Sequence, residues 1–72
     1  MPDQSYSDLI HAQVHPGQYY ITIWHALEYQ RRPYWHGWPP TVCVFDTPRD
    51  ADAVAVELQQ SALYRDPVVV RA

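Results

Sequence analysis

The chain has no lysine: its five basic residues are all arginines, Arg31, Arg32, Arg49, Arg65 and Arg71. That absence excludes a Schiff-base amine and the cation of a phosphate-binding P-loop. Positive charge is scarce altogether. Five basic residues against eight acidic ones give a formal charge of -3, the wrong sign for neutralising a phosphate backbone. A single cysteine, Cys43, excludes an internal disulfide. No apolar run approaches the ~18 residues needed to span a bilayer, because Asp, Gln, Arg or Pro interrupts each one. No N-terminal stretch joins basic residues to an apolar run as a secretory signal does, so a cytoplasmic location is expected. Length is short as well. At 72 residues, residues 1–72 read as one domain with one core, burying only ~60% of the surface of the unfolded chain. Little apolar material is left to enclose a catalytic cavity, so neither an enzyme nor a cofactor is expected.

What is present is a globular composition, 47% hydrophobic and 14% aromatic, despite seven prolines. Protonating all four histidines would add four charges and carry the chain from -3 to +1 as pH falls through about 6.5.

Along the chain, Met1 to Asp8 is polar and reads as a flexible tail. Leu9 to Val14 alternates as Ile10, Ala12, Val14 against Leu9, His11, Gln13, which favours a strand, although Ser5-x-x-Asp8 also resembles a helix-capping start. His15-Pro16-Gly17-Gln18 is a turn. Tyr19 to Tyr29 alternates over its whole length, with Tyr19, Ile21, Ile23, His25, Leu27 and Tyr29 on the face expected to meet the core. Gln30 to Pro40 holds three prolines and a glycine and reads as an irregular loop rich in aromatics. Thr41 to Phe45 reads as a buried strand. Thr47-Pro48-Arg49-Asp50 opens a helix, with Thr at the N-cap and Pro at the first helical position. Ala51, Val54, Ala55, Leu58 and Ala62 continue it at helical spacing to about Leu63 or Tyr64. Asp66-Pro67 stops it, and Val68 to Val70 forms the last strand. The expected fold is therefore α+β, a small mixed β-sheet in the order strand, strand, strand, helix, strand, with one helix packed on one face. A right-handed crossover would make the last two strands parallel.

Three groups of residues bear on function. His11, His15, His25, His36 and Cys43 offer metal ligands, but no pair has the spacing that closes a site, and no metal is expected. Cys43 with His25 on a neighbouring strand would make a nucleophilic pair, yet a cysteine inside a β-run behaves as a small hydrophobe with a raised pKa. Asp46, Asp50 and Asp52 gather at a helix start, where capping and the helix dipole already account for them.

The third group is the run from Tyr29 to Trp38, which concentrates aromatics and arginine, the residues that dominate binding hot spots. Arg31, Arg32, Tyr34, Trp35 and Trp38 are the candidate anchors for a larger protein partner, with Asp50, Asp52 and Glu57 supplying complementary charge. Folding of the loop back over the sheet, with Trp35 and Trp38 packed near Trp24, is the competing role. Both hold if one tryptophan packs and the other stays exposed.

The strands leading into Val44-Phe45-Asp46-Thr47, followed by a helix with Ala51 and Ala53, resemble the sheet-then-helix layout of the arm-type DNA-binding domains of phage integrases. The likeness runs from Gly17 to about Gln60 and implies a sheet face laid on DNA. That family presents lysines and arginines there, whereas this chain presents Tyr20, Thr22, Trp24 and Glu28. The function expected is that of a small regulator or inhibitor that occludes a larger protein, as phage-encoded inhibitors of host transcription or nuclease complexes do. A nucleic-acid binder using the sheet face and the arginine-aromatic loop is the alternative. A homodimer formed through the Tyr20 and Trp24 face or the Val68 to Val70 edge is a further possibility.

Overall fold

The computed structural model describes residues 6–72. Its elements are α1 (Tyr6–Gln13), β1 (Tyr19–His25), β2 (Gln30–Pro33), β3 (Trp35–His36), β4 (Thr41–Val42), α2 (Pro48–Leu58) and β5 (Tyr64–Arg71). The fold is α+β. β1 lies at the centre of a three-stranded sheet of order β2-β1-β5, and β3 pairs with β4 in a small second sheet. All of these pairings are antiparallel. The parallel pair expected across α2 does not form, because β4 and β5 belong to different sheets and β5 pairs with β1 instead.

Alternation along β1 divides the core. Ile21 and Ile23 are fully buried and pack with Ala55 and Leu58 of α2, bordered by Tyr34, Phe45, Val54, Tyr64 and Val69. Tyr20, directed away from Ile21 by the twofold repeat of a strand, joins a second cluster of Leu9, Val14 and Val42 with Ile10, Trp35 and Val44. Burying each isoleucine contributes about 1.5–3 kcal/mol.

Residues 9–13 close α1 and are not a strand. Val14 N–H bonds to the Ile10 carbonyl at 2.7 Å, a helical link, and Leu9, Ile10 and Val14 share one cluster. A short apolar run satisfies either period, and the contact with β4 decides for the helix. Of the expected tail, Tyr6 to Asp8 form the first turn of α1, while residues 1–5 lie outside the described residues.

The Pro16-Gly17 turn forms as its residues dictate. Gln18 N–H bonds to the His15 carbonyl at 3.0 Å, and Gly17 takes φ +89, which glycine adopts without steric cost. β1 ends at His25, four residues short of the expected Tyr29. Residues 26–29 form a turn in which both Glu28 N–H and Tyr29 N–H reach the His25 carbonyl. This reversal lets Trp24 face Arg31 and His25 face Gln30 in the hairpin.

The supposed loop 30–40 is consequently half strand. Pro33 is accommodated because β2 is an edge strand, where a missing donor costs no ladder bond. The run 41–45 is shorter than expected, with Thr41–Val42 in β4 and Phe45 forming an isolated bridge to Tyr19.

α2 starts at the expected boundary. Thr47 is extended (φ -130, ψ 150), its hydroxyl accepts from Asp50 N–H at 3.2 Å, and Pro48 follows at the first position. It ends at Leu58 rather than near Leu63, because Tyr64 is already paired with His25 in β5. Asp66-Pro67 lies inside that strand. A register shift between Thr22 and Trp24, with Asp66 at φ +50, absorbs the irregularity.

Candidate functional site

The run from Tyr29 to Trp38 leaves the sheet at Tyr34, whose N–H bonds to the Ile21 carbonyl at 2.7 Å. It then turns at residues 37–40 between β3 and β4. This path gives each candidate anchor a different environment.

Arg31 lies beside Thr22 and Asp66, so its charge is engaged within the sheet. Nη1 donates to Thr22 Oγ1 at 3.0 Å, and Nη2 donates to Asp66 Oδ2 at 2.6 Å and to the Asp66 carbonyl at 3.0 Å. Arg32 is buried, its side chain only 8% exposed. Its guanidinium carbon stands 3.9 Å from the centre of the Trp35 ring, and Nε is 3.3 Å from Glu28 Oε1. Nε and Nη1 are nevertheless buried with no hydrogen-bond partner among the described residues, so the Glu28 contact is an attraction of charges without hydrogen-bond alignment. The stack on Trp35 and the nearby carboxylate offset part of that desolvation.

Tyr34 packs edge-on to Tyr64 at 5.4 Å beside the α2 cluster. Burial pushes its phenol pKa up, and the nearby Cys43, Tyr64 and Glu57 push it the same way. Trp35 is half-buried, held between Arg32 and Tyr6, with the Tyr6 ring at 5.6 Å. Trp38 alone of these anchors is left free in water, at 87% exposed.

The turn that carries Trp38 is tied to α1 by one side chain. Gln13 Oε1 accepts from Val42 N–H at 2.7 Å, and Gln13 Nε2 donates to the Pro40 carbonyl at 2.9 Å. The amide thereby imitates a neighbouring strand and holds both ends of the approach to β4. Gly37 takes φ +78, a conformation that favours glycine, at the start of the same turn.

Asp50, Asp52 and Glu57 are exposed along α2. The Asp50 backbone serves the cap, and Glu57 acts by charge on Tyr34. They lie on α2, whereas Trp38 lies on the turn between β3 and β4. Leu27 and Tyr29, expected on the face that meets the core, stand exposed on the β1–β2 turn, because the unbroken alternation concealed that turn. Sequence reading missed the Gln13 clamp, whose partners lie 27 and 29 residues away.

Cys43 lies near His36, not His25: its Sγ is 3.8 Å from His36 Nδ1. Burial raises the thiol pKa and keeps the sulfur protonated. His25 is buried, its Nδ1 accepting from Glu28 N–H at 3.3 Å and its ring edge-on to Tyr64. Among the described residues no group of three or more His, Cys, Asp or Glu could hold a metal ion, and no helix is long and apolar enough to cross a membrane. A cavity of about 370 Å³ opens between α1, the Pro16 turn and β1, lined by Ile10, His11, Val14, Pro16, Tyr20 and Ala72. Compared with known proteins, the chain matches no family model, no curated protein and no solved structure.

Proposed function

We propose that this protein is a non-enzymatic binding module, a small regulator or inhibitor that docks on a larger protein through the Trp38 turn. The observation that carries the reading is a tryptophan 87% exposed at the tip of a turn clamped to α1 through Gln13. A large aromatic held on anchored backbone loses little entropy on binding and fills a partner pocket with few other contacts. Trp35, in the strand that leads into the turn, is stacked on Arg32, and the exposed acids Asp50, Asp52 and Glu57 supply charge that steers encounter. Occlusion of the partner's own site is the mechanism.

The nucleic-acid alternative needs arginines free to meet phosphate and aromatics free to stack. Arg31 is engaged with Asp66, and Arg32 and Trp35 are engaged with each other, which weighs against it.

The test is capture of partners from lysate by the wild type and by Trp38→Ala, followed by affinity measurement with the purified partner. Loss of a hot-spot tryptophan should weaken binding by about 2 kcal/mol or more, roughly 30-fold. Equal affinity in a folded Trp38→Ala variant would reject the turn as the docking site.

A further inference from the structure

Among the described residues β5 is an edge strand, since the sheet order β2-β1-β5 leaves one of its sides without a neighbouring strand. The direction of its backbone groups follows from two hydrogen bonds at its end. Ala72 N–H donates to the Gln18 carbonyl at 2.8 Å, and the Ala72 carbonyl accepts from Gly17 N–H at 3.0 Å. Both polar groups of Ala72 therefore point towards the β1 side. Backbone groups alternate along a strand, and the pairing is in continuous register from Arg71 to Val68. Those of Val70 and Val68 accordingly point towards β1, and those of Arg71, Val69 and Pro67 point outward. Pro67 has no N–H and sits where the β1 ladder needs none. The outward row thus holds two donors, the amides of Val69 and Arg71, and three carbonyl acceptors.

We propose that this edge pairs antiparallel with the same edge of a second copy, about a two-fold axis through Val69, joining two three-stranded sheets into one of six strands. The row is self-complementary in that register. Val69 N–H meets the Val69 carbonyl of the second copy, and Arg71 N–H meets the Pro67 carbonyl of the second copy. With their symmetry mates these bonds use every outward donor, and the amide that Pro67 lacks is not required for any of them. The side chains agree: Val68 lies beside the second copy's Val70, so three valines face three valines, and Val68, 44% exposed in one chain, gains cover.

Neighbouring registers are worse. An axis at Val68 sets Arg65 opposite the second copy's Arg71, a like-charge pair, and leaves the Arg71 amide without its Pro67 acceptor. An axis at Val70 places Arg71 beside Val69 and shortens the overlap. Unpaired edges of this kind are templates for strand addition, and a matching copy supplies the complementary strand in a closed two-fold arrangement.

Sedimentation equilibrium of the intact chain from about 10 µM to about 1 mM reads the outcome directly. A reversible dimer of twice the 8.4 kDa chain mass is expected, and a single monomer mass across the range would overturn the proposal. Arg71→Pro removes two symmetry-related donors and should raise the dissociation constant about 10-fold or more. Should circular dichroism show that variant unfolded, Val68→Asp takes its place, since it alters an exposed side chain on the same contact. Unchanged dimer affinity in a folded edge variant would overturn the edge route. Trp38→Ala, on a separate turn, should leave dimerisation unaltered, so failure here and failure of the docking turn are distinguishable.

Discussion

The Arg32 guanidinium lies 3.9 Å from the centre of the Trp35 ring, and Trp35 belongs to β3, the strand that leads into the turn displaying Trp38. Arg32 is almost wholly buried, with two nitrogens that have no hydrogen-bond partner among the described residues. Its value to the fold thus comes from stacking and from covering apolar surface with its methylenes. Arg32→Ala should lower stability by about 2 kcal/mol, and a double-mutant cycle with Trp35→Ala in urea unfolding should give a coupling of about 1 kcal/mol. Arg32→Lys should recover little, because an ammonium cannot stack as a planar guanidinium does.

The two tryptophans of the same run should separate cleanly. Trp35→Ala empties a half-buried site and should cost about 2–3 kcal/mol, shifting the thermal midpoint down by roughly 10 °C or more for a domain of this size. Trp38→Ala removes a side chain in water and should change stability by less than about 0.5 kcal/mol. Thermal melts followed by circular dichroism compare the two.

Gln13 connects α1 to the turn by two hydrogen bonds. Gln13→Ala leaves the Val42 amide and the Pro40 carbonyl without their partner, a cost of about 1–3 kcal/mol. Hydrogen exchange at Val42 should accelerate well beyond that at Ile21 and Ile23 in β1. Trp38-dependent binding should weaken although no contacting residue has changed, because the turn is no longer held.

Alkaline pH should destabilise the fold through two groups. Folding raises the pKa of Cys43 by burial, and that of Tyr34 by burial and by its neighbours Cys43, Tyr64 and Glu57. A raised pKa contributes stability that is fully present below the unfolded value and is lost as pH rises through the folded value. Denaturant midpoints should therefore be unaffected by these two groups at neutral pH and fall from the ordinary thiol range through the phenol range. Cys43→Ser should remove the earlier part of that decline. A thiol-directed disulfide reagent at mildly alkaline pH should react faster with unfolded than with folded protein.

Elements governed by neighbours in sequence were legible. The Thr47 cap with Pro48, and the Pro16-Gly17 turn, rest on side-chain hydrogen bonding and restricted φ within four residues, and both form where those rules place them. Elements governed by distant partners were not. Leu9 to Val14 satisfies either a strand or a helix until β4 is placed beside it. The alternation of Tyr19 to Tyr29 continues past His25, but pairing of His25 with Gln30 requires a reversal inside it. Leu63 stays out of α2 because Tyr64 pairs with His25 across the sheet.

By itself the sequence determined an α+β chain with one sharply capped helix, a proline-glycine turn, a strand centred on Ile21 and Ile23, and a run of arginine and aromatics. Only the tertiary structure decided what that run does: Arg31 drawn to Asp66, Arg32 and Trp35 stacked, Trp38 left in water. Capping and turn geometry are settled by local dihedral and hydrogen-bond preferences. Burial of a side chain is settled by what stands across from it, and for Arg31 and Trp35 those neighbours, Asp66 of β5 and Tyr6 of α1, lie far away in the chain.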